Sequence, residues 1–359
     1  MGNSQQQENK ESQTSSQVND DETYEINQDI KQKAYETEVK LLSEYAKPLT
    51  HNEIYYKDVS IDFHGNNYLH TLMCGHARPG KDIIVCLHGY QGNSLTFYKL
   101  MPLLYDNYTT YAPDIIGMGL SSRPKVEFTS TEMCNDYFIE SLEAWRKVMN
   151  IDKFYMCGHS LGGYFALIYA LRYPEHIKDI ILMAPTCISD VSKGGDIHHT
   201  VWWPQKIGFR LVSPLWSFQP RLQDLVNNKL LTGIFNMVLR KRYDISPEES
   251  EYTGLITELT MKYPKDTDQC IYYIFKHPFP SPQKPLEGDL ENKLLDKHFL
   301  VMYGEKDWME RVGIERLAKN HPERFDLFTV SKYGHTFPME NPSEVAEIIN
   351  TYLKPQKYS

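Results

Sequence analysis

The sequence KFYMCGHSLGGYFALIYALR, residues 153–172, joins an apolar strand-like run to a helix-like run through a G-x-S-x-G pentapeptide. A nucleophilic serine has to stand clear of its own backbone. A sharp strand-to-helix turn achieves this, but it crowds the positions two before and two after the serine. Glycine relieves that crowding, and Gly158 and Gly162 occupy both positions. The turn also places the backbone N–H of Leu161 at a helix N-terminus, where it stabilises an oxyanion. The stretch therefore predicts a strand, an elbow and a helix, with Ser160 as a nucleophile.

A serine hydroxyl becomes a nucleophile when a base accepts its proton, and the base in turn needs an acid that orients it. In folds that use this elbow the chain order is serine, acid, histidine. Asp307 lies in a turn at the end of a strand-like run, and His335 lies in a loop after the last predicted strand. We therefore predict Asp307 as the acid and His335 as the base. Two neighbouring carboxylates remain alternatives to the acid: Glu305 and Glu310.

The second donor of an oxyanion hole is expected after an earlier strand. Residues 81–87 have strand-like composition and lead into the sequence HGYQG, residues 88–92. We expect the backbone N–H of Tyr90, together with that of Leu161, to stabilise the developing oxyanion. His88 is assigned no catalytic role. The glycine-rich residues 114–122 lack the spacing of a phosphate-binding loop and are interpreted as a tight loop beside the active site.

Strand-like and helix-like runs alternate along most of the chain. Two strands are expected near residues 54–63 and 67–73, and six more end at His88, Pro113, Gly158, Pro185, Gly304 and Ser331. Alternation of this kind favours a mostly parallel sheet that helices cover on both faces. The sequence therefore predicts an α/β fold with eight strands. The alternation stops between residues 186 and 292, where we expect an inserted helical cap over the elbow.

Together these motifs resemble the α/β-hydrolase superfamily, over roughly residues 50–355. The motifs that carry the resemblance are His88-Gly89, Asp114-x-x-Gly117-x-Gly119-x-Ser121, the Ser160 elbow, Gly304-x-x-Asp307 and Gly334-His335. The resemblance implies the α/β-hydrolase fold with its cap. It also implies acyl chemistry that needs neither a cofactor nor a metal.

Within the superfamily the chain is similar to the lipid-remodelling subfamily. That group includes a lipid-droplet lipase co-activator, N-acyl-phospholipid lipases, lysophospholipid acyltransferases and a yeast cardiolipin deacylase. The segments that carry this similarity are 114–124, 158–164, 240–243 and 303–309. The co-activator branch has asparagine where this chain has Ser160, so the resemblance implies an active enzyme. The acyl-transfer motif H-x4-D of the subfamily reads His335-x4-Glu340 here, which leaves acyl transfer open beside hydrolysis.

Composition bounds the class of protein. The 359 residues are 41% hydrophobic, which suffices for one large domain with an inserted cap. No apolar run reaches the length of about 18 residues that a membrane span needs, and we expect no secretory signal peptide.

The formal net charge of −9, without a basic stripe, argues against nucleic-acid binding. Six cysteines without C-x-x-C spacing indicate free thiols in a reducing compartment. No metal site is expected, since His198-His199 lacks further ligands nearby.

The chain divides into segments. Residues 1–26 are polar and are predicted to be a disordered tail. Its acidity argues against a mitochondrial matrix transit peptide, although mitochondrial association stays open. The tail begins with Met1-Gly2 but lacks the Ser or Thr at position 6 of a myristoylation site, which leaves myristoylation of Gly2 open. Residues 27–50 are predicted to contain a helix whose buried stripe is Tyr35, Val39, Leu42 and Ala46. The predicted hydrolase core comprises residues 51–185 and 293–359.

Residues 186–292 form the predicted cap or lid. Three of the five tryptophans fall in it: Trp202, Trp203 and Trp216. Packing inside the cap and a lipid-facing rim are both consistent with this pattern. Basic residues of the cap, among them Lys206, Arg210 and Arg240, either meet lipid phosphates or are simply solvated.

From these observations we predict a serine hydrolase that cleaves acyl esters of phospholipids or other lipids, with lysophospholipid acyl transfer as an open second activity. We expect a cytoplasmic protein in peripheral contact with a membrane or a lipid droplet. The alternatives are a small-molecule esterase, a hydrolase of the proline iminopeptidase type, and a lipid-binding scaffold that regulates another lipase. A scaffold has no need of an intact serine, acid and histidine, which argues against that alternative.

Overall fold

A computed structural model provides the structure of the protein. The described residues are 23–46, 53–76, 78, 80–193, 219, 244–276, 281–294 and 296–353. Their strands are β1 (Ile54–Asp62), β2 (Asn66–Cys74), β3 (Asp82–Leu87), β4 (Tyr108–Pro113), β5 (Phe154–His159), β6 (Ile177–Met183), β7 (Phe275–Lys276), β8 (Ser281–Pro282), β9 (Phe299–Gly304) and β10 (Phe325–Val330). Their α-helices are α1 (Gln28–Leu41), α2 (Leu100–Leu104), α3 (Thr131–Val148), α4 (Leu161–Arg172), α5 (Pro247–Met261), α6 (Cys270–Ile274), α7 (Glu287–Lys293), α8 (Val312–Asn320), α9 (Phe337–Glu340) and α10 (Pro342–Tyr352).

Eight of these strands form one sheet in the order β1-β2-β4-β3-β5-β6-β9-β10. The strand β2 pairs antiparallel with β1 and with β4, and the remaining pairs from β4 to β10 are parallel. The strands β7 and β8 form a separate antiparallel pair. The prediction of a mostly parallel, eight-stranded sheet is therefore confirmed.

Position in the sheet explains the composition of the strands. Every residue of β5 is buried, as expected for a central parallel strand that helices cover on both faces. In the edge strand β10, by contrast, only the first and last residues are buried, and the four between them are partly or fully exposed. Continuous apolar sequence therefore marks the middle of the sheet, where the elbow begins.

The helix α4 packs close to the sheet because its facing residues are small. The small residues of this face, all buried, are Gly162, Gly163, Ala166 and Ala170. A methyl group added at Gly163 would lie only 2.9 Å from the Cβ of Pro185, after β6. The close packing places the start of α4 directly above the carboxyl ends of the central strands.

The N-terminal helix buries a different stripe from the one predicted. Leu42 and Ala46 are buried as expected, but Val39 is 42% exposed. The buried positions of α1 instead include Glu38, which is fully inaccessible. The helix also changes to a π-helical turn over Leu42–Ala46, which shifts the phase of the stripe. The predicted stripe is therefore wrong at Val39, since an apolar pattern does not reveal an acidic residue that has a buried partner.

That partner is His70 on β2. The Nε2 atom of His70 lies 3.0 Å from Oε2 of Glu38, and its Nδ1 atom lies 2.8 Å from Oδ1 of Asp58. Burial disfavours the charged form of His70, but the Glu38 carboxylate and the two hydrogen bonds outweigh it and raise the pKa of His70 well above its ordinary value. The protonated ring therefore joins α1 to β1 and β2 through two carboxylates.

Replacing Glu38 with glutamine should lower the free energy of unfolding by about 3 kcal/mol, because it removes one charge of a buried pair. The pKa of His70 is raised on folding, so this stabilisation is complete below the ordinary histidine pKa of about 6.5 and is lost as the pH rises through the raised value. Urea unfolding at several pH values should show a difference between wild type and Glu38→Gln that shrinks towards alkaline pH. The exposed neighbour Glu36→Gln is the matched control and should change little. An equal effect of both variants would contradict this role of Glu38.

Candidate active site

Ser160 sits at the junction of β5 and α4 in a strained backbone conformation. Its φ is 55° and its ψ is −121°, in a region that residues with a side chain rarely adopt. The backbone N–H of Ser160 donates to the carbonyl of Met183 at 2.9 Å, which ties the turn to the end of β6. The side chain is half-buried and so remains reachable from outside. This is the geometry that a nucleophile elbow requires.

Both elbow glycines are sterically required. A Cβ atom at Gly158 would lie 2.4 Å from the carbonyl oxygen of Gly162, and one at Gly162 would lie 2.2 Å from the carbonyl oxygen of Leu87. Real Cβ atoms do not approach backbone oxygens so closely. The crowding that the pentapeptide implied is therefore present on both sides of Ser160.

The variant Gly162→Ala should lose about 3 kcal/mol or more of unfolding free energy, because backbone has to move to admit the methyl group. The matched control is Gly288→Ala in α7, where an added Cβ would meet nothing within 4 Å. Since alanine is the better helix former, this control should be neutral or stabilised by about 0.5 kcal/mol. Urea unfolding of both variants checks the prediction. Equal stabilities would show that the elbow tolerates a side chain at this position.

Asp307 and His335 lie in contact. Their Oδ1 and Nδ1 atoms are 3.0 Å apart, and the backbone N–H of Met309 donates to the same carboxylate oxygen at 2.9 Å. Burial of Asp307 raises its pKa, but the attraction of His335 and the hydrogen bonds from His335 and Met309 outweigh it and lower the pKa below its usual value. An ionised Asp307 thus holds Nδ1 of His335 as a donor and leaves Nε2 free to accept a proton.

The two alternative acids have other partners. Glu305 is exposed and accepts from the backbone N–H of Lys332 at 2.7 Å. Glu310 is buried and accepts from the backbone N–H of Ser189 at 3.2 Å and from its hydroxyl. Of the three carboxylates that the sequence nominated, Asp307 is the one that contacts His335.

His159 adds a contact that the sequence did not reveal. Its Nε2 atom lies 2.7 Å from the backbone carbonyl of His335, and the two imidazole rings are 4.8 Å apart. The ring of Trp308 packs on His335, with the two ring centroids 5.1 Å apart. The loop that carries His335 is therefore held from the elbow itself. The only sequence signal was a histidine at the first variable position of G-x-S-x-G.

Ser160, His335 and the predicted oxyanion turn meet at one small cavity of about 30 Å³. The residues that line it are Gly89, Tyr90, Gly92, Thr96, His159, Ser160, His335, Thr336 and Met339. A Cβ atom at Gly89 would lie 3.0 Å from Cβ of Ser160, so the backbone of this turn runs directly against the serine. Leu161 follows as the first residue of α4. The structure thus brings the predicted nucleophile, the predicted base and the turn of Tyr90 to one cavity, and the roles of the Tyr90 and Leu161 amides stay predictions.

The turn next to Ser160 is supported from behind by His88. This buried ring contacts the carbonyl of Gly89 through Nδ1 at 2.8 Å and accepts from the backbone N–H of Ile115 through Nε2 at 2.9 Å. Burial lowers the pKa of His88, which keeps the ring neutral, with a proton on Nδ1 only. A hydrogen bond also joins the loop after β4 to the segment after the turn, since Oδ1 of Asp114 accepts from the backbone N–H of Ser94 at 2.6 Å. Neither residue lines the cavity.

Glu340 of the predicted acyl-transfer motif faces a different element. Its Oε1 atom accepts from the backbone N–H of Asp244 at 2.9 Å. The carboxylate is not among the groups that line the cavity. A role of His335 and Glu340 in acyl transfer stays a prediction.

The predicted cap is described in part. The tryptophans Trp202, Trp203 and Trp216, the basic residues Lys206, Arg210 and Arg240, and most of the N-terminal tail lie outside the described residues. The described part of the predicted insertion includes α5, α6 and most of α7. Within the described ranges, no helix has the length and apolarity of a bilayer-crossing segment. The same ranges contain no group of three or more His, Cys, Asp or Glu side chains that could hold a metal ion.

Comparison with known proteins places the chain in a family. A family model described as alpha/beta hydrolase fold matches residues 82–342. A probable 1-acylglycerol-3-phosphate O-acyltransferase of Oryza sativa subsp. japonica is 31% identical over 278 residues, which are 72% of this chain and 64% of that protein. The 1-acylglycerol-3-phosphate O-acyltransferase ABHD5 of Rattus norvegicus is 36% identical over 274 residues, which are 75% of this chain and 68% of that protein.

The chain thus spans about two thirds of the length of these curated relatives. Among solved structures, the naproxen esterase (carboxylesterase NP) of Bacillus subtilis matches with a TM-score of 0.63 at 19% identity, over 92% of this chain and 100% of that one. At this identity the structural match speaks for the fold alone. The chain belongs to the α/β-hydrolase fold family and, within it, to the lipid-remodelling subfamily of the ABHD5-type proteins that its motifs indicated.

Proposed function

We propose that the protein is a serine hydrolase that cleaves acyl esters of phospholipids or related lipids. The observation that carries this proposal is the joint placement of Ser160, in its strained elbow, and the Asp307–His335 pair at one cavity. A backbone strain of this kind persists where the surrounding structure enforces it, and it is typical of functional sites.

In the proposed reaction, Nε2 of His335 accepts the proton of Ser160 Oγ while the oxygen attacks the ester carbonyl carbon. The backbone N–H groups of Tyr90 and Leu161 stabilise the oxyanion of the tetrahedral intermediate. The intermediate collapses, the C–O bond to the alcohol breaks, and His335 donates its proton to the leaving oxygen. Water, deprotonated by His335, then attacks the acyl-serine carbonyl carbon. The C–O bond to Ser160 breaks, His335 returns the proton to Ser160 Oγ, and the fatty acid is released. Asp307 stays ionised throughout and stabilises the imidazolium.

A lipid substrate is the class that the relatives favour. The rice and rat proteins are both named for acyl transfer to 1-acylglycerol-3-phosphate, which is a lysophospholipid. Subfamily membership supports a substrate with a long acyl chain. We further propose that the protein acts at the surface of a membrane or a lipid droplet, since such substrates reside there.

Acyl transfer is the second candidate function, because both relatives carry that name. It uses the same acyl-serine, with a lysophospholipid hydroxyl in place of water. The contact of Glu340 with the backbone of Asp244 supports hydrolysis as the first candidate, since this carboxylate already has a partner away from the cavity.

The test incubates the full chain and its Ser160→Ala variant with mixed phospholipid vesicles, with and without added lysophosphatidic acid. Mass spectrometry follows free fatty acids, lysolipids and newly acylated products. Serine-dependent release of fatty acid is the expected result. Serine-dependent transfer to the added acceptor would support the second candidate.

A series of p-nitrophenyl esters of increasing acyl length distinguishes a lipid enzyme from a small-molecule esterase. We expect turnover to rise with acyl length from acetate towards long chains. Preference for acetate, with no activity on vesicles, would overturn the lipid assignment while keeping the hydrolase. Equal traces from wild type and Ser160→Ala on every substrate would favour the lipid-binding scaffold.

A further inference from the structure

A short segment after α5 holds the turn that carries Tyr90. This segment, Lys265–Asp268, is called the 265–268 segment below. All four of its residues are buried. The hydroxyl of Tyr90 donates to the backbone carbonyl of Asp268 at 3.1 Å, and the side chain of Gln91 contacts the same segment. The turn is therefore bound on one side by Ser160 and on the other by the 265–268 segment.

Gln91 has a left-handed backbone conformation that is disfavoured for a residue with a Cβ atom. The turn closes with a hydrogen bond of 3.0 Å from the backbone N–H of Gly92 to the carbonyl of Gly89. Gln91 is the third of its four residues and has a φ of 55°, in the left-handed region that favours glycine. A residue with a side chain stays there when other contacts hold it.

Those contacts come from an ion pair of the 265–268 segment. The Nε2 atom of Gln91 donates to Oδ1 of Asp268, and its Oε1 atom accepts from Nζ of Lys265 at 2.8 Å. Nζ of Lys265 also lies 3.4 Å from Oδ2 of Asp268, with both side chains almost fully buried. Because one partner only accepts and the other only donates, they fix which way the Gln91 amide points.

We propose that Lys265 and Asp268 are positioning residues that hold the side chain of Gln91 and, through it, the Gly89–Gly92 turn, so that the backbone N–H of Tyr90 is directed at the oxyanion. This inference rests on the function proposed above. It assigns a role in the reaction to two buried residues that do not touch the cavity.

The charge state of Lys265 agrees with this role. Burial and the nearby Arg123 lower the pKa of Lys265 to about 8, against the opposing attraction of Asp268. The amine is therefore mostly protonated at neutral pH and pairs with the carboxylate. The uncharged Gln91 amide bridges both ends of this pair.

The test measures hydrolysis of a soluble p-nitrophenyl ester by the full chain. Removing one ion alone would leave a buried charge and threaten folding, whereas replacing both by apolar residues of similar volume is often neutral for stability. The main variant is therefore Lys265→Met with Asp268→Leu, beside Gln91→Ala and the combination of all three changes. Thr267→Val is the matched control, since it removes a buried bond of 2.9 Å to the carbonyl of Gly117 without contacting Gln91.

We expect the double variant and Gln91→Ala each to lower kcat at least about tenfold, with KM within about twofold, because an oxyanion donor acts in the transition state and not on bound substrate. The triple variant should be no slower than the slower of these two, since all act through one side chain. Thr267→Val should keep kcat within about twofold. Thermal unfolding of each variant shows that the kcat losses do not follow Tm.

Three results would overturn this inference and leave the proposed function intact. Two of them are Ser160-dependent turnover that the double variant leaves unchanged, and kcat losses that multiply in the triple variant. A kcat loss in Thr267→Val equal to that of the double variant would also overturn it, since any disturbance of the segment would then suffice. Equal turnover by wild type and Ser160→Ala would instead overturn the proposed function, and this inference with it.

Discussion

Replacing Ser160 with alanine should lower kcat for ester hydrolysis by at least about 10⁴-fold, because no acyl-serine can form. The oxyanion donors and the cavity remain, so the residual activity expected is a slow hydrolysis in which water attacks the ester directly. Initial rates on one p-nitrophenyl ester, with enzyme in the micromolar range, measure the loss. Reaction with a fluorophosphonate probe should disappear in the same variant, because the probe forms its bond with the activated hydroxyl.

Ser94→Ala is the matched control for this experiment. Ser94 is a buried serine two residues before Thr96, which lines the cavity, and its hydroxyl has no hydrogen-bond partner among the described residues. Its backbone N–H holds Asp114, and that bond survives the substitution. The control should keep probe labelling and turnover close to wild type. Turnover of the same ester by folded Ser160→Ala at the wild-type rate would rule out Ser160 as the nucleophile.

The second large effect is expected for Asp307→Asn, which should lower kcat by about 10⁴-fold with little change in KM. The amide group of asparagine can donate towards Nδ1 of His335 and so favours the tautomer with its proton on Nε2. That tautomer is unable to accept the serine proton. The site keeps its shape, because the new side chain has the size of the old one. Steady-state kinetics and the rate of fluorophosphonate labelling should fall together.

The alternative acids provide controls of the same chemistry. Glu305→Gln changes an exposed carboxylate near the end of β9 and should leave kcat within about twofold. Glu310→Gln changes a buried carboxylate that binds Ser189, so it should lower stability more than kcat. A loss in Glu305→Gln as large as that in Asp307→Asn would move the role of the acid to Glu305. Circular dichroism of each variant confirms that it is folded.

Much of the fold and of the candidate site follows from local sequence. Continuous apolar runs predicted the central strands, because strands covered on both faces have no polar side. Predicted strands near 54–63 and 67–73 correspond to β1 and β2 within one residue at each end. Each part of the candidate site follows the end of a predicted strand. These parts are the elbow at Ser160, the turns at Tyr90 and Asp307, and the loop of His335. In a parallel sheet such ends lie along one edge, so chain order alone placed these residues together.

Local sequence was insufficient where a residue's role depends on a partner far along the chain. Glu38 is an acidic residue in an amphipathic helix, and its pattern indicates a solvated position. It is buried because His70 meets it from β2. His159 likewise has the residue type of many surface loops, and only the fold brings its ring to the carbonyl of His335.

The sequence by itself therefore determined the order of strands and helices, the elbow around Ser160 and the candidates for the acid and the base that follow it, since each depends on patterns within a few residues. The tertiary structure alone decided which of three nearby carboxylates contacts His335, which polar side chains are buried, and how Lys265 and Asp268 reach the turn of Tyr90. The physical reason is that a charge is tolerated in the interior when an opposite charge or a hydrogen bond meets it there. Contacts of this kind join residues that are more than 170 positions apart in the sequence, as Gln91 and Asp268 are.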